Sequence, residues 1–231
     1  MDSDLPLFPE QASTLAPQVD GLFFFILAVT VFFTALIFVL VLVFAVKYRR
    51  KPDRQEGAKV RATLWLEVVW IGIPLGLCLV MFLWGARIYF SQQRPPSDAL
   101  DVYVVARQWM WKLQHAEGPS EINELHVPIG RPVRLTMTSQ DVIHSFFVPA
   151  FRIKMDVVPG RYSMAWFQPT RTGEYHLFCA EYCGTKHSGM TGRVVVMEMA
   201  EYERWLSGGT SGAGLAAAGE RLFLGLGCAT C

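Results

Sequence analysis

The chain changes period once. Two long stretches near the start are apolar on every side, and from about residue 99 apolar and polar positions alternate in short runs. Gly21 to Val46 contains no charged residue. At about 1.5 Å of rise per residue, a helix of that length is about 39 Å long, enough to cross a hydrocarbon core of about 30 Å even when tilted. A second apolar run covers about 62–90, with Glu67 near its start and Gly72, Pro74 and Gly76 inside it. Those residues predict a bend and not a break, because neighbouring helices can satisfy the backbone groups a proline frees. A core helix preceded by a signal peptide is the other reading. It fits poorly: the first run is too long for a signal, no basic residue precedes it, and a second run follows.

The alternating part predicts strands at Asp101–Ala106, Trp109–His115, Pro132–Thr138, Arg161–Phe167, Glu174–Cys179 and Arg193–Met199. Turn signals such as Pro128-Ile129-Gly130, Pro159-Gly160 and Thr172-Gly173 separate them. Many short strands at this spacing predict a small antiparallel sandwich or barrel. Ala200–Ser207 reads as a short closing helix, Gly208–Gly214 as a flexible linker, and Ala216–Leu226 as the start of another helix.

Charge then orients the hairpin. Segment 47–61 carries Lys47, Arg49, Arg50, Lys51, Arg54, Lys59 and Arg61 against Asp53 and Glu56, whereas residues 1–20 hold four acids and no base. Short basic loops stay in the cytoplasm, so the N-terminus and everything after residue 90 are expected outside. The net charge of +1 speaks neither for nor against nucleic acid.

Cysteines fall at 78, 179, 183, 228 and 231. An odd count in close pairs is not a disulfide framework and points to metal or cofactor chemistry. Cys78 is mid-span and reads as a small apolar filler. The dense stretch is Cys179-Ala-Glu181-Tyr-Cys183-Gly-Thr-Lys-His187-Ser-Gly-Met190, with His144 upstream on a separate segment. Thiolates and imidazoles select zinc, copper or iron–sulfur centres over magnesium or calcium. A tetrahedral zinc site from His144, Cys179, Cys183 and His187 stays open on ligands alone. Met190 moves the balance, because a thioether is a copper ligand far more than a zinc ligand. So does the remote histidine followed by Cys, His and Met on one loop of a β-sandwich, which is the layout of blue-copper proteins. The second cysteine lets two sulfurs bridge two ions. His115, His126 and His176 read as ordinary strand or surface histidines.

The pattern His144…Cys179-x-Glu181-x-Cys183-x-x-x-His187-x-x-Met190 resembles the CuA loop of cytochrome c oxidase subunit II. Ala12-Ser13-Thr14, Glu67-Val-Val-Trp70, Gln108-Trp109-Met110-Trp111 and Ser139–Phe146 resemble that family's other motifs in the same order. The resemblance implies a two-helix transmembrane hairpin followed by an all-β, cupredoxin-like Greek-key sandwich or barrel. Its parts are an outer tail over 1–20, a hairpin over 21–90 with helices about 21–46 and 62–90, a CuA domain over 98–207, and a linker with the start of a further domain over 208–231.

By the same resemblance, Cys179 and Cys183 bridge the coppers, His144 and His187 each cap one, and Met190 and the carbonyl of Glu181 are weak ligands. The Glu181 carboxylate would reach a magnesium ion shared with the catalytic subunit. Trp109 would accept electrons from cytochrome c, and Glu67 would stand at a proton-uptake channel of the partner. Asp141 and Asp156 are weaker candidates for the subunit junction or for docking. The implied function is a terminal-oxidase subunit in a bacterial inner membrane, taking electrons from a separate or fused cytochrome c. It passes them to haem a of subunit I for reduction of oxygen to water coupled to proton pumping, alongside subunit III and with no nucleic-acid partner. The segment Trp111–Asn123 lacks the acidic surplus with which relatives meet a basic cytochrome. Gly219–Cys231 resembles the start of a class I cytochrome c domain, as in caa3-type oxidases, with Cys228 and Cys231 as haem c attachment points. A nitric oxide reductase subunit with the same copper loop and a membrane-tethered copper-delivery protein remain alternatives.

Overall fold

The computed structural model describes residues 8–49, 63–116 and 118–207. Most of the basic segment 47–61 and all of 208–231, including Cys228 and Cys231, therefore lie outside the described residues. The chain forms two compact units, one over 14–95 and one over 1–13 with 96–231.

The first unit is a pair of long apolar helices, α1 (Ala16–Lys47) and α2 (Leu64–Gln92), each long and apolar enough to cross a membrane. Helix α1 begins before the expected Gly21, because Pro17 sits at a position whose missing N–H costs nothing in a first helical turn. Asp20 thus belongs to the helix and not to the tail. Helix α2 runs unbroken across Pro74. Trp84 of α2 packs on Phe25 of α1 at 5.7 Å between ring centres.

The second unit is a sandwich of two five-stranded sheets. One has the order β3-β2-β1-β5-β8, from β3 (Ser120–Ile122), β2 (Met110–His115), β1 (Leu100–Arg107), β5 (Val133–Ser139) and β8 (Ser163–Phe167). The other has the order β4-β10-β9-β6-β7, from β4 (Glu124–Pro128), β10 (Thr191–Met197), β9 (Gly173–Cys179), β6 (His144–Val148) and β7 (Ile153–Val157). A short helix α3 (Met199–Leu206) closes it. The alternation that predicted the strands is the alternation of burial: Val133 to Ser139 buries every second residue. Trp111, Leu113, Leu135, Phe146, Phe167 and Leu177 fill the space between the sheets.

The sandwich is mixed and not purely antiparallel. Strand β1 runs parallel to β5, and β10 parallel to β4. Non-consecutive strands meet there, and a crossover connection permits either direction. Residues ahead of α1 are stitched into the same unit. Ala12 N–H donates to Ala150 O and Thr170 N–H to Ala12 O, both at 2.9 Å, while Ser13 Oγ donates to Phe151 O.

Candidate metal centre

The pairing of β6 with β9 builds the site. Phe146 stands opposite Cys179, and Ala180 N–H continues the ladder onto Ser145 O at 2.9 Å. That register carries His144 to Cys179 across a separation of 35 residues, with His144 Nδ1 at 3.8 Å from Cys179 Sγ. The loop after β9 then folds back. Cys179 N–H donates to Met190 O and Met190 N–H to His187 O, each at 3.1 Å, so the loop returns to its own root before β10 begins.

The donors gathered there are soft and mostly buried. Cys179 Sγ and Cys183 Sγ are 3.8 Å apart, too far for a disulfide. Cys183 Sγ lies 3.5 Å from His187 Nδ1 and 3.7 Å from Met190 Sδ, and Cys179 Sγ points at Glu181 O at 3.3 Å. His144 and Ser145 are fully buried, Cys183 and Met190 nearly so, and His187 is half-exposed. The donor atoms of His144, Cys179 and Cys183 lie within 4.8 Å of one another, and His187 stands outside that set. Each sulfur therefore has an imidazole of its own. Burial, then the adjacent Cys179 thiol and the charge of Asp141, push the Cys183 thiol up to about 12. A thiol so held gives up its proton in exchange for a bound cation. The residues fit a thiophilic metal.

Asp141 organises the edge of the cluster. Its carboxylate accepts from His144 Nε2–H at 2.8 Å, from Gln108 N–H at 2.7 Å and from Val142 N–H at 2.7 Å. Burial works to raise its pKa, but those donors outweigh it and hold the carboxyl at about 2. Sequence reading placed Asp141 only at a junction or docking face. The i, i+3 spacing to His144 was the available signal.

Trp109 sits in the turn between β1 and β2 and not on a strand. That turn is seated on the ligand loop. Gln108 Nε2–H donates to Cys183 O at 2.7 Å. Gly184, at φ +119°, leaves no room for a side chain: a Cβ would come within 2.9 Å of Gln108 Nε2 and 3.3 Å of Trp109 Cζ2. Glu67 lies in the first turn of α2, where a carboxylate suits the helix N-terminus. His115 and His126 are strand residues, but His115 is buried and both bind Glu121. His176 stacks on Phe178.

The fold and the donor set define a cupredoxin-like metalloprotein domain joined to two membrane-spanning helices. Residues 83–199 match the family described as cytochrome C oxidase subunit II, periplasmic domain. The alternative cytochrome c oxidase subunit 2 of Bradyrhizobium diazoefficiens is 30% identical over 225 residues, covering 81% of this chain and 80% of the relative. Cytochrome c oxidase subunit 2 of Cereibacter sphaeroides is 29% identical over 249 residues, covering 88% and 80%. The solved periplasmic domain of subunit II of cytochrome oxidase (CoxB) from Bradyrhizobium japonicum is 29% identical, with a TM-score of 0.48 over 50% of this chain and 96% of that one. The chain belongs to the cytochrome c oxidase subunit II family. That family is the copper-binding subunit of haem–copper oxidases, and acceptance of electrons for the oxidase is the role that goes with it. Neither the nitric oxide reductase nor the copper-delivery alternative is favoured.

Proposed function

We propose that the Cys179 and Cys183 thiolates bridge two copper ions, that His144 and His187 each cap one, and that Met190 Sδ and the carbonyl of Glu181 complete the set. One observation carries this reading: two sulfurs 3.8 Å apart, each with its own imidazole nitrogen at 3.5–3.8 Å. A single tetrahedral zinc ion would need all four donors around one point, and His187, although 3.5 Å from Cys183 Sγ, falls outside the set of donors that lie within 4.8 Å of one another. Electron paramagnetic resonance of the copper-loaded full chain in detergent tests it. An electron shared by two equivalent copper nuclei gives a seven-line pattern. A four-line pattern, or a silent sample that retains zinc, overturns the assignment.

Bound there, the copper pair supplies one-electron transfer with little change in ligand positions. The protein's part is to hold the ligands and exclude water. His144 donates Nε2–H to Asp141, which leaves Nδ1 free to coordinate and fixes the ring plane. Its edge also meets the buried Trp111 ring at 6.0 Å. Trp109 accepts the incoming electron from cytochrome c. The neighbouring Gln108 side chain bonds directly to Cys183 O, so a short bonded route joins the turn to a ligand residue.

The remaining assignments concern the assembly. The Glu181 carboxylate holds magnesium with the catalytic subunit, which carries haem a, and subunit III completes the partners. Glu67 stands at the mouth of a proton-uptake channel of the catalytic subunit. The charge of 47–61 sets that segment in the cytoplasm and the sandwich on the periplasmic side of a bacterial inner membrane. Cys228 and Cys231 attach haem c in a caa3-type arrangement. Replacing Glu67 with Gln should slow proton-coupled turnover of the oxidase while leaving reduction of the copper site unchanged. Unchanged turnover would remove Glu67 from proton uptake.

A further inference from the structure

We infer that the surface centred on Trp109 receives a redox partner whose contact face is acidic. This rests on the reading of Trp109 as the electron-accepting residue. The motivating observation is the balance of free charge around that indole. Lys186 Nζ lies over the Trp109 ring at 5.9 Å from its centre. Arg107 lines the same open cavity of about 670 Å³ as Gln108, Trp109, Gln140 and Asp141. Lys112 continues the basic stripe. In the β1–β2 register it stands opposite Val105, and Arg107 opposite Met110, so both bases occupy the outer face of the hairpin that ends in Trp109. All three are exposed, and none forms an ion pair among the described residues.

The acids nearby do not cancel them. Asp141 lines the same cavity and is 25% exposed, but its carboxylate is engaged by His144 and two backbone N–H groups. Glu121 faces His115 and His126 instead of the surface. Asp101, on the same outer face of β1, is paired with Arg134. Glu181 is exposed but belongs, on the reading above, to the junction with the catalytic subunit. Exposed apolar groups beside the ligands suit close approach: Val142 and Ile143 just before His144, and Tyr182 packed against His187 at 5.8 Å. An apolar centre with a basic rim steers an acidic partner and repels a basic one, over a range of about 10 Å at moderate salt. The occupant is therefore a small electron carrier with carboxylates around its exposed redox edge.

The test uses the whole oxidase containing this chain. Stopped-flow reduction of the copper site is followed with an acidic and with a basic c-type cytochrome of matched potential, across ionic strength. The acidic donor should be faster at low salt, by about tenfold, and should slow as salt rises. The basic donor should gain. Arg107→Glu with Lys186→Glu, both surface changes, should reverse the preference. A basic donor that is faster at low salt, or salt slopes unmoved by the double reversal, overturns the proposal. Trp109→Phe separates the two readings. Loss of transfer with both donors at every salt supports Trp109 as the accepting residue. Unchanged transfer in that variant, with the charge variants still moving the slopes, removes Trp109 and keeps the docking surface.

Discussion

The sandwich holds two clusters built around pairs of histidines, and they are opposites. In one, His115 Nε2–H and His126 Nδ1–H both donate to Glu121, at 2.8 and 2.5 Å, and Glu121 also accepts His126 N–H at 3.1 Å. Tyr202 OH meets His115 Nδ1 at 3.3 Å, and Trp205 stacks on His126 at 4.7 Å, so α3 is fastened to the sheets. In the other, His144 and His187 face sulfurs at 3.8 and 3.5 Å. The first is complete as polypeptide, since an acceptor-only carboxylate meets donors. The second gathers soft donors that could hold a metal ion. Burial alone does not distinguish them, for His115 and His144 are both buried. The partner does: an ionised carboxylate in one cluster, cysteine sulfurs in the other.

That contrast can be broken in order of effect. Cys183→Ser should abolish the coupled-copper spectrum outright, whereas His126→Ala should leave it intact; equal damage from both would erase the distinction. Asp141→Asn keeps the shape but weakens its hold on His144. Copper affinity should fall by about 10- to 100-fold, read by competition with a chelator. Glu121→Ala strands the buried His115 imidazole and the partly buried His126 one and should cost about 1–3 kcal/mol in thermal unfolding of the detergent-solubilised chain, with copper content unchanged. The smallest effect is in pH. Burial works to raise the Glu121 pKa, but hydrogen bonds from His115, His126 and the His126 backbone outweigh it and hold the carboxyl below its ordinary value of 4.5. A carboxylate depressed in the fold contributes stability that is full above 4.5 and fades as pH falls through the folded value. Unfolding temperature should therefore drop on acidification below that point, and Glu121→Gln should flatten the fall.

The two clusters were not equally legible. The metal loop declares itself because four of its donors lie within twelve residues and no other chemistry needs that spacing. His144 was legible as a donor by residue type and not by periodicity, for β6 is buried on nearly every residue and shows no alternation. The histidine–carboxylate cluster was invisible. Glu121 sits on a three-residue strand too short to carry a period, and α3, which closes it, is remote in sequence. Strands β4 and β7 do alternate, Leu125 and Val127 inward and Ile153 and Val157 inward, and were missed because proline-bounded five-residue runs look like loops. The helices were plain, because nothing but hydrocarbon suits stretches so evenly apolar.

The uneven burial of the ligands has a consequence in time. His144 reaches the site only after β6 has paired with β9, 35 residues away, so the polypeptide must close before the full ligand set exists. Once closed, His144, Cys183 and Met190 are sealed from solvent, and His187 is the half-open ligand. The one side of the cluster open to solvent is thus the His187 side, with the Tyr182 ring at 5.8 Å from its imidazole and Lys186 next to it in the chain, while the other ligands are held within the folded sandwich.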